Sequence, residues 1–240
     1  MLSLSHLKSF SNDNAQDISK LFSLVYGDDY VYPEVYQAET FCKNHANGTW
    51  ESVLAISTDG HVIGYGALVT HPHCPQIPEI GMFVVHPGAR NLGLATKISQ
   101  KLIEKAKTNG VTGVSTKQVC NHPFSQKLAH SLGFLNLGFW PNYVASPFDA
   151  GETRESILCA YLPLKTEPKK ILYLTEELCP NAKALTKGVD KIGKIASAQL
   201  GEISARTAIE TNEHEPEVIE LYLHQWGKDG EKKIEALEQE

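Results

Sequence analysis

The sequence predicts a mixed α/β fold on the basis of three patterns. Residues 50–56 and 61–70 are strand-like runs that flank Thr58-Asp59-Gly60, and a glycine there accepts the positive φ of a tight hairpin turn. Residues 91–109 carry one apolar stripe at helical spacing, which is typical of an amphipathic helix. The order of one strand, two helices and three strands before that helix differs from the regular alternation of a doubly wound sheet.

Short-range signals predict the elements that precede the hairpin. Residues 2–10 are expected to form a short strand. Asn12-Asp13-Asn14 supplies capping side chains to a first helix, which Gly27 ends. An irregular aromatic stretch, residues 30–34, leads into a second helix that ends near Asn47-Gly48.

The elements after the hairpin alternate more regularly. The proline-rich residues 71–78 form a loop, and Gly110 ends the amphipathic helix. The remaining expected elements are strands at 79–85, 111–119, 134–139 and 154–162 and a short helix at 123–132.

The composition changes after Pro163, and this change predicts a domain boundary. Residues 165–170 resemble a linker, so we expect one domain at 1–164 and a small α/β extension at 165–240. The extension holds too little apolar surface to fold alone, and it packs on the first domain or on another subunit, which leaves a homodimer open. Its expected elements are strands at 171–174 and 218–224 and helices at 182–195 and 232–237, the first of which is weakened by Gly188 and Gly193.

Composition and charge exclude several classes of protein. The net charge of −6 provides no basic face, so we expect no nucleic-acid partner. The five cysteines are odd in number and form no CxxC pair, which argues against a disulfide scaffold or a zinc site. No basic start with an apolar core opens the chain, and no apolar run approaches the ~18 residues of a membrane span. We therefore expect a cytoplasmic protein that does not bind membranes.

The segment from Glu79 to Ala95 carries the chemical signal. An apolar strand runs into a turn broken by Pro87, and the turn continues with Arg90 and Gly93 into the amphipathic helix. Small residues let the backbone approach a ligand, and the free N–H groups of a first helical turn attract negative charge. The pattern therefore predicts an anion site suited to a diphosphate, to which Arg90 adds a charge-assisted bond.

The loop lacks the sequence features of two common phosphate sites. It has neither the Gly-Lys-Ser/Thr ending of a P-loop nor the Gly-x-Gly-x-x-Gly of a dinucleotide site, which disfavours a nucleotide-binding protein. The pattern Arg90-x-x-Gly93-x-Ala95 resembles the signature of the GNAT superfamily of N-acetyltransferases, and Asn121 and Leu132-Gly133-Phe134 resemble its second motif block. The resemblance covers about residues 4–162. It implies a three-layer fold with a central, mostly antiparallel sheet, acetyl-CoA as co-substrate and no metal.

The resemblance also implies roles for individual residues. Glu79 precedes Arg90 by eleven positions, as a catalytic glutamate does in some members, and is the expected general base; the alternative is a cap on the strand end. Tyr30 and Tyr32 lie where members grip the acceptor amine, or they pack in the core. The expected residues for coenzyme A are Val84, Val85, Arg90, Asn91, Leu92, Gly93, Leu94, Ala95, Thr96 and Asn121, the last of which alternatively caps a helix.

One position departs from the family pattern. Many members carry a tyrosine four residues before the glycine of the second block, where it protonates the departing thiolate, but this chain has Ala129. The role is absent or has moved, and the polar residues nearby are His122, Ser125, His130 and Tyr143. We therefore expect direct transfer to a small-molecule or peptide amine, with a non-catalytic acyl-CoA sensor as the rival function. The loop residues His71, His73 and Cys74 lack metal-site spacing and are expected to be solvated.

Overall fold

The computed structural model describes residues 2–146, 153–165, 170–174, 193–197, 208–215, 218–225 and 229–237. Its contacts divide the chain into two compact units, Met1–Pro168 and Lys169–Glu240. None of the described helices combines the length and the apolar character that a membrane crossing requires.

The first unit is built on a seven-stranded sheet in the order β1-β2-β3-β4-β5-β7-β6. β4 and β5 run parallel, whereas the other neighbouring strands are antiparallel. The elements are β1 Leu4–Ser9, α1 Ala15–Tyr26, α2 Ala38–Ala46, β2 Trp50–Ser57, β3 Val62–Val69, β4 Glu79–Val85, α3 Leu94–Thr108, β5 Gly113–Val119, α4 Phe124–Ser131, β6 Leu135–Ala145 and β7 Arg154–Pro163. The predicted mixed α/β fold with a mostly antiparallel sheet is confirmed.

Both faces of the central strands are covered, which gives the unit three layers. Within β2, Val53 and Ala55 pack towards α3, while Leu54 and Ile56 pack towards α1 and α2. A strand with both faces buried reads as a continuous apolar run, because its alternate side chains enter two different cores. Strand β2 therefore lacks the polar alternation of a strand with one solvent-exposed face.

Glycines in β3 determine how closely α3 approaches the sheet. A Cβ at Gly66 would meet the Phe83 ring at 2.7 Å and Ile98 of α3 at 2.8 Å, and one at Gly64 would meet Ile98 at 3.2 Å. Ile98 therefore occupies a notch that side chains on β3 would fill. This contact holds α3 across β3 and directs its first turn towards β4.

The α1 and α2 layer contains a buried hydrogen-bond chain within an aromatic cluster. The Tyr65 ring meets Phe41 edge to face with 5.5 Å between centroids, and its hydroxyl lies 2.7 Å from Ser52 Oγ. His45 Nε2 lies 2.8 Å from the same Oγ, and His45 Nδ1 lies 2.7 Å from the Phe41 carbonyl oxygen. A carbonyl can only accept, so Nδ1 carries the proton. In neutral His45, Nε2 then accepts from Ser52, whose oxygen can accept from the Tyr65 hydroxyl, so this hydrogen-bond chain is complete with an uncharged ring.

The sheet differs from the sequence prediction mainly at β6. We expected this strand to end at residue 139, but it continues through Pro141 to Ala145. β6 lies at the sheet edge, where the missing N–H of proline is tolerated, and its pairing with β7 is irregular between Trp140 and Val144. Asn142 there adopts a φ of 48°. A bulged edge strand can contain a proline that reads as a terminator in sequence.

The second unit contains two small sheets and a helix. β8 Lys170–Leu174 pairs in parallel with β9 Gly193–Ser197, β10 Ala208–Glu215 pairs antiparallel with β11 Val218–Gln225, and α5 spans Gly230–Leu237. The expected strands at 171–174 and 218–224 and the helix at 232–237 are present. A helix was expected at 182–195. Residues 182–192 lie outside the described residues, and residues 193–195 form the start of β9 instead. β10 was not predicted, because its sequence is largely polar and its pairing with β11 does not show in the segment itself.

We expect the His45→Gln variant to lose one component of the pH dependence of stability. Burial lowers the pKa of His45 and outweighs the Phe41 carbonyl and the Glu51 carboxylate, which raise it. In the unfolded chain His45 takes up a proton near its ordinary pKa of 6.5, whereas in the folded chain it does so only at lower pH. The stability contributed by neutral His45 is therefore present above that pH and is lost as the pH falls below it. Urea titrations measure the free energy of unfolding of both proteins, and the difference in favour of the wild type should be smaller at about pH 5.5 than at about pH 7.5. The same difference at both pH values would contradict this role of His45.

Candidate active site

The site begins where β4 and β5 separate. Their described ladder has one residue pair, Glu79 with Ser115, next to which the Ser115 N–H donates to the Pro78 carbonyl at 3.0 Å. Beyond this pair the two strands diverge, and a cavity of about 640 Å³ lies between them. A parallel pair that opens in this way leaves room for a ligand between strands that would otherwise bond to each other.

The cavity reaches both helical layers. On the α1 side of the sheet, the cavity is lined by Tyr26, Tyr30 and Tyr32. On the other side it is lined by residues of α3 and α4, namely Ala95, Thr96, Ser99, Ser125, Leu128 and Ala129. Two ligands can therefore enter from opposite faces and meet between β4 and β5. Tyr30 and Tyr32, the expected acceptor residues, line the cavity, and Tyr30 also packs on Phe22 with 4.9 Å between ring centroids. Tyr30 therefore fits both of its sequence interpretations.

A β-bulge in β4 faces the cavity. Met82 adopts a φ of 53°, and the pairing with β3 shifts between Tyr65 and Ala67, so the residues around Met82 and Phe83 leave the regular ladder. We expected Val84 and Val85 to be among the residues that contact coenzyme A. Those two residues pair regularly with β3 and are not in the cavity wall, whereas Met82 and Phe83 are. Sequence periodicity does not show a bulge, because a bulge depends on the register with the neighbouring strand.

The predicted anion loop ends at the first turn of α3. Gly93 is the N-cap residue with a φ of 67°, and no side chain caps the helix there. Leu94 is buried and Leu92 partly buried in the core beneath α3. The Leu92 N–H donates to the Ala89 carbonyl at 3.3 Å, so Leu94, in the first turn of the helix, is the one of the two whose backbone N–H can face a ligand. Ala95 and Thr96 line the cavity. The first turn of α3 therefore presents uncapped N–H groups next to the opening between the strands.

Arg90 and Asn91 lie outside the cavity wall and are exposed. Arg90 is nevertheless close enough to act on Tyr26: burial raises the pKa of that phenol, and the Arg90 charge partly offsets the rise. The Tyr26 hydroxyl donates to the Phe83 carbonyl at 3.3 Å. The arginine is thus positioned at the rim of the site.

Glu79 is held by the side chains of His71 and Lys117. Its Oε2 accepts from His71 Nε2 at 3.3 Å and lies 3.5 Å from Lys117 Nζ, and its side chain is 12% exposed. Burial raises the pKa of the carboxyl, but His71 and Lys117 together outweigh burial and hold the pKa below its ordinary value. Glu79 is therefore ionised at neutral pH and able to accept a proton.

Two partners of Glu79 were not identified from sequence. His71 belongs to the loop that we expected to be solvated, and it is half exposed, yet its ring reaches Glu79. Lys117 lies two residues after Ser115, the strand partner of Glu79, and so falls on the same side of the sheet. Its Nζ lies 5.6 Å from the centroid of the Trp140 ring and 5.5 Å from that of Tyr143. In sequence, a lysine in a strand of alternating polar and apolar residues suggests a solvent-facing side chain. Its contact with Glu79 is visible only from the register between β4 and β5.

Asn121 lies on the α4 side of the site. Its Nδ2 donates to Glu155 Oε1, which also accepts from Ser146 Oγ at 3.3 Å. Glu155 is buried and lines the cavity, whereas Asn121 does not. The N-cap residue of α4 is Pro123, so helix capping, one of the two interpretations of Asn121, does not apply.

Ala129 lines the cavity where many GNAT members carry tyrosine. Of the four polar residues considered in its place, His122 and Ser125 line the cavity, whereas His130 and Tyr143 do not. His122 Nδ1 and Ser125 Oγ are buried in the wall without a hydrogen-bond partner in the described part of the chain. Both atoms are therefore available to a ligand. No three His, Cys, Asp or Glu side chains of the described ranges converge as a metal site requires.

Comparison with known proteins identifies the family. Residues 15–134 match the model of the acetyltransferase (GNAT) family. The chain belongs to the GNAT family. It is accordingly an enzyme of the acyltransferase class, and the resemblance seen in the sequence is confirmed. No curated protein matches the chain.

Solved structures of the same fold include several acetyltransferases. The phosphinothricin acetyltransferase of Sinorhizobium meliloti, in complex with acetyl-CoA, is 21% identical with a TM-score of 0.57 over 70% of this chain and 94% of its own. The yncA protein of Salmonella typhimurium, solved with acetyl-CoA, is 16% identical with a TM-score of 0.57 over 68% of this chain and 95% of its own. The ribosomal-protein-S18-alanine N-acetyltransferase of Escherichia coli is 16% identical with a TM-score of 0.55 over 72% of this chain and all of its own. At these identities the likeness shows the fold.

The Gly81→Ala variant should impair catalysis by this GNAT enzyme more than its stability. A Cβ at Gly81 would lie 3.2 Å from Glu79 Oε1, so the carboxylate must move by a few tenths of an ångström. The atom that moves is the end of a flexible side chain, so the fold should tolerate the change. With Glu79 as the general base expected from the sequence, we predict about a tenfold loss of turnover, because small displacements of a reacting group are costly, and little change in melting temperature.

Gly138→Ala is the matched control for this variant. Its Cβ would lie 3.9 Å from the Cβ of Cys159, which is an ordinary contact on β6. Melting curves and turnover of both variants test the expectation. Equal turnover in the two variants would show that the position of the Glu79 carboxylate does not limit the reaction.

Proposed function

We propose that the protein is an acetyl-CoA-dependent N-acetyltransferase that passes the acetyl group directly to an amine while both substrates are bound. The observation that carries the proposal is the cavity between β4 and β5, which connects the first turn of α3 with Glu79. Direct transfer requires the two reactants to be held together, and this positioning supplies a large part of the acceleration. We assign the activity to residues 1–164, because every residue invoked lies there, and leave the extension at 165–240 without a catalytic role.

The donor site fits the diphosphate of coenzyme A. A helix N-terminus without a side-chain cap offers N–H groups to an anion, and the space around Gly93 is open, with no atom within 4 Å of an added Cβ. Ala95 is small and leaves access to these groups. Two structural neighbours were solved with acetyl-CoA, which supports the same donor here. In this proposal Arg90 adds a positive charge at the rim.

Glu79 is the proposed general base. An acceptor amine arrives as ammonium and must lose a proton before its nitrogen can attack the thioester. Because the pKa of Glu79 is lowered, the carboxylate is a weak base that accepts the proton as attack proceeds. His71 connects this buried group to solvent, since its own side chain is 47% exposed. The proton can therefore leave the cavity after each turnover.

The remaining chemistry concerns the oxyanion and the thiolate. The bulge at Met82 and Phe83 releases backbone groups next to the reacting carbonyl, and donors there stabilise the tetrahedral oxyanion. At the Ala129 position no phenol can protonate the thiolate. His122 Nδ1 and Ser125 Oγ have no hydrogen-bond partner among the described residues, and we propose that one of these two side chains donates to the leaving sulfur.

Donor binding is tested by Gly93→Asp. The new carboxylate would stand where the diphosphate is expected, so the affinity for acetyl-CoA should fall at least tenfold, or about 1.4 kcal/mol. Gly93→Asn is the matched control, since both substitutions strain the positive φ and asparagine adds no charge. Calorimetric titration should show a much smaller loss for the asparagine variant. Stabilisation of the wild type by ATP or NAD as strong as by acetyl-CoA would refute the donor assignment.

Catalysis is tested by Glu79→Gln, which keeps the shape and removes the proton acceptor. Turnover should fall about 10²-fold at neutral pH with nearly unchanged acetyl-CoA affinity. The loss should diminish at high pH, where more of the amine is already neutral. Glu51→Gln is the control, because Glu51 is also an ion-paired carboxylate, 2.7 Å from Lys105 Nζ, but it lies outside the cavity wall.

Release of free thiol from acetyl-CoA with a panel of amines measures these rates. Full activity of the Glu79→Gln variant at neutral pH would remove Glu79 from the mechanism. A wild-type protein that binds acetyl-CoA but releases no thiol with any amine would instead be an acyl-CoA sensor, the alternative that Ala129 favours.

A further inference from the structure

We infer that Tyr26 is a positioning residue of this enzyme, whose hydroxyl holds the Phe83 carbonyl so that the Phe83 N–H faces the reacting thioester. The inference rests on the proposed function, because it names the side chain that aligns the oxyanion donor of that reaction. It is carried by the hydrogen bond from the Tyr26 hydroxyl to the Phe83 carbonyl, which joins the last residue of α1 to the bulge in β4.

The ladder between β3 and β4 shows which backbone groups of β4 face the gap. The His86 N–H donates to the Ile63 carbonyl of β3 at 3.0 Å. Bonded and non-bonded positions alternate along an antiparallel ladder, so Val84, opposite Tyr65, also faces β3. Phe83 then faces the other side, where the cavity separates β4 from β5. The N–H and C=O of an extended residue point to the same side of the strand, so both groups of Phe83 enter the gap.

The bulge has a conformation that its surroundings must enforce. Met82 adopts a φ of 53°, which is unfavourable for a residue with a Cβ and persists only where neighbouring groups hold it. Ile80 packs in the core beneath α3, whereas Met82, two residues later, packs in the core beneath α1 and α2. Regular alternation would place both side chains on one face. The strand therefore changes face within the bulge, and side-chain packing on both sides requires this change.

Phe83 is held at its ring and at its carbonyl. The ring occupies the space beside Gly66, where an added Cβ would lie 2.7 Å from it, and it packs against the core beneath α3. The carbonyl accepts from Tyr26, which belongs to the helix on the opposite face. The ring contact determines where the side chain lies, and the hydroxyl contact determines the tilt of the backbone. Without the hydroxyl the backbone can tilt, and the N–H of the same residue turns with it.

The Tyr26 side chain is suited to hold this carbonyl. Burial raises the pKa of the phenol, and the Arg90 charge only partly offsets the rise, so the hydroxyl keeps its proton at neutral pH and remains a donor. The ring is fixed by its neighbours, with centroids 4.8 Å from Tyr30 and 6.2 Å from Phe22. The bulge is therefore anchored to the helical layer through a group that lines the cavity.

Tyr26→Phe tests this role, because it removes the hydroxyl and keeps the ring. A less well aligned donor stabilises the oxyanion less, so kcat should fall about tenfold. The KM values for acetyl-CoA and for the amine should stay nearly unchanged, since the hydroxyl bonds to the protein rather than to a ligand. Tyr161→Phe is the matched control. The Tyr161 hydroxyl also donates to a backbone carbonyl, that of Thr112 at 3.4 Å, but it lies outside the cavity wall.

The carbonyl stretch of bound acetyl-CoA reports the alignment without turnover. Infrared difference spectra with a carbon-13 label at the thioester carbonyl isolate this band. A donor directed at the oxygen lowers its wavenumber relative to free acetyl-CoA. The wild type and Tyr161→Phe should therefore show the full shift, and Tyr26→Phe should show a smaller one. Melting curves and acetyl-CoA affinity confirm that both variants fold and bind.

The outcomes separate this inference from the proposed function. A wild-type kcat in Tyr26→Phe, or a raised KM in its place, would overturn the inference while the acetyltransferase stands. A fall in kcat with an unchanged carbonyl shift would give the phenol a different role and overturn it as well. If no amine releases thiol, the spectra decide. A shift in the wild type that shrinks in Tyr26→Phe would then support the role of Tyr26 and refute the transfer reaction, and a wild type without a shift would overturn the inference.

Discussion

The separation of β4 from β5 after a single residue pair is the constraint on which the rest of the first domain depends. The pair of Glu79 with Ser115 joins the four strands β1 to β4 to the three strands β5 to β7. If the parallel ladder continued, the backbone groups that now border the cavity would bond to each other. The gap is maintained because α3 packs in one core with both halves of the sheet, with Val53 and Ile80 on one side and Val114 and Ala160 on the other. The sheet therefore does not rely on hydrogen bonds at this point.

The same separation explains why charged groups occupy the middle of an apolar domain. A carboxylate at the start of β4 is mostly removed from water. It is tolerated because Lys117 compensates its charge and His71 donates a hydrogen bond to it. These partners keep Glu79 ionised and thereby limit its basicity. A base of this kind fits a reaction in which proton removal and nucleophilic attack proceed together, rather than one that first generates a free amine.

Local patterns were sufficient where the structure depends on neighbours in the chain. The bounds of β4 were predicted correctly, and the hairpin between β2 and β3 and the amphipathic helix α3 were found close to their expected limits. The misses share a non-local cause. β6 passes through Pro141 because it lies at an edge, and the residues from Gly193 form a strand because β8 provides a partner. Periodicity within one segment carries no information about which partner it will meet.

The sequence by itself determined the family and the layered α/β fold, and it located the proposed anion loop, because strand, turn and helix start are encoded within seventeen consecutive residues from Glu79 to Ala95. It also indicated Glu79, Tyr30 and Tyr32 as candidate residues of the acceptor site. Only the tertiary structure decided that the Glu79 carboxylate meets Lys117 and His71, and that Met82 and Phe83 at a bulge, rather than Val84 and Val85, line the cavity. Those contacts depend on the register between β4 and its two neighbouring strands, and register is set by packing across the whole sheet rather than by any one segment.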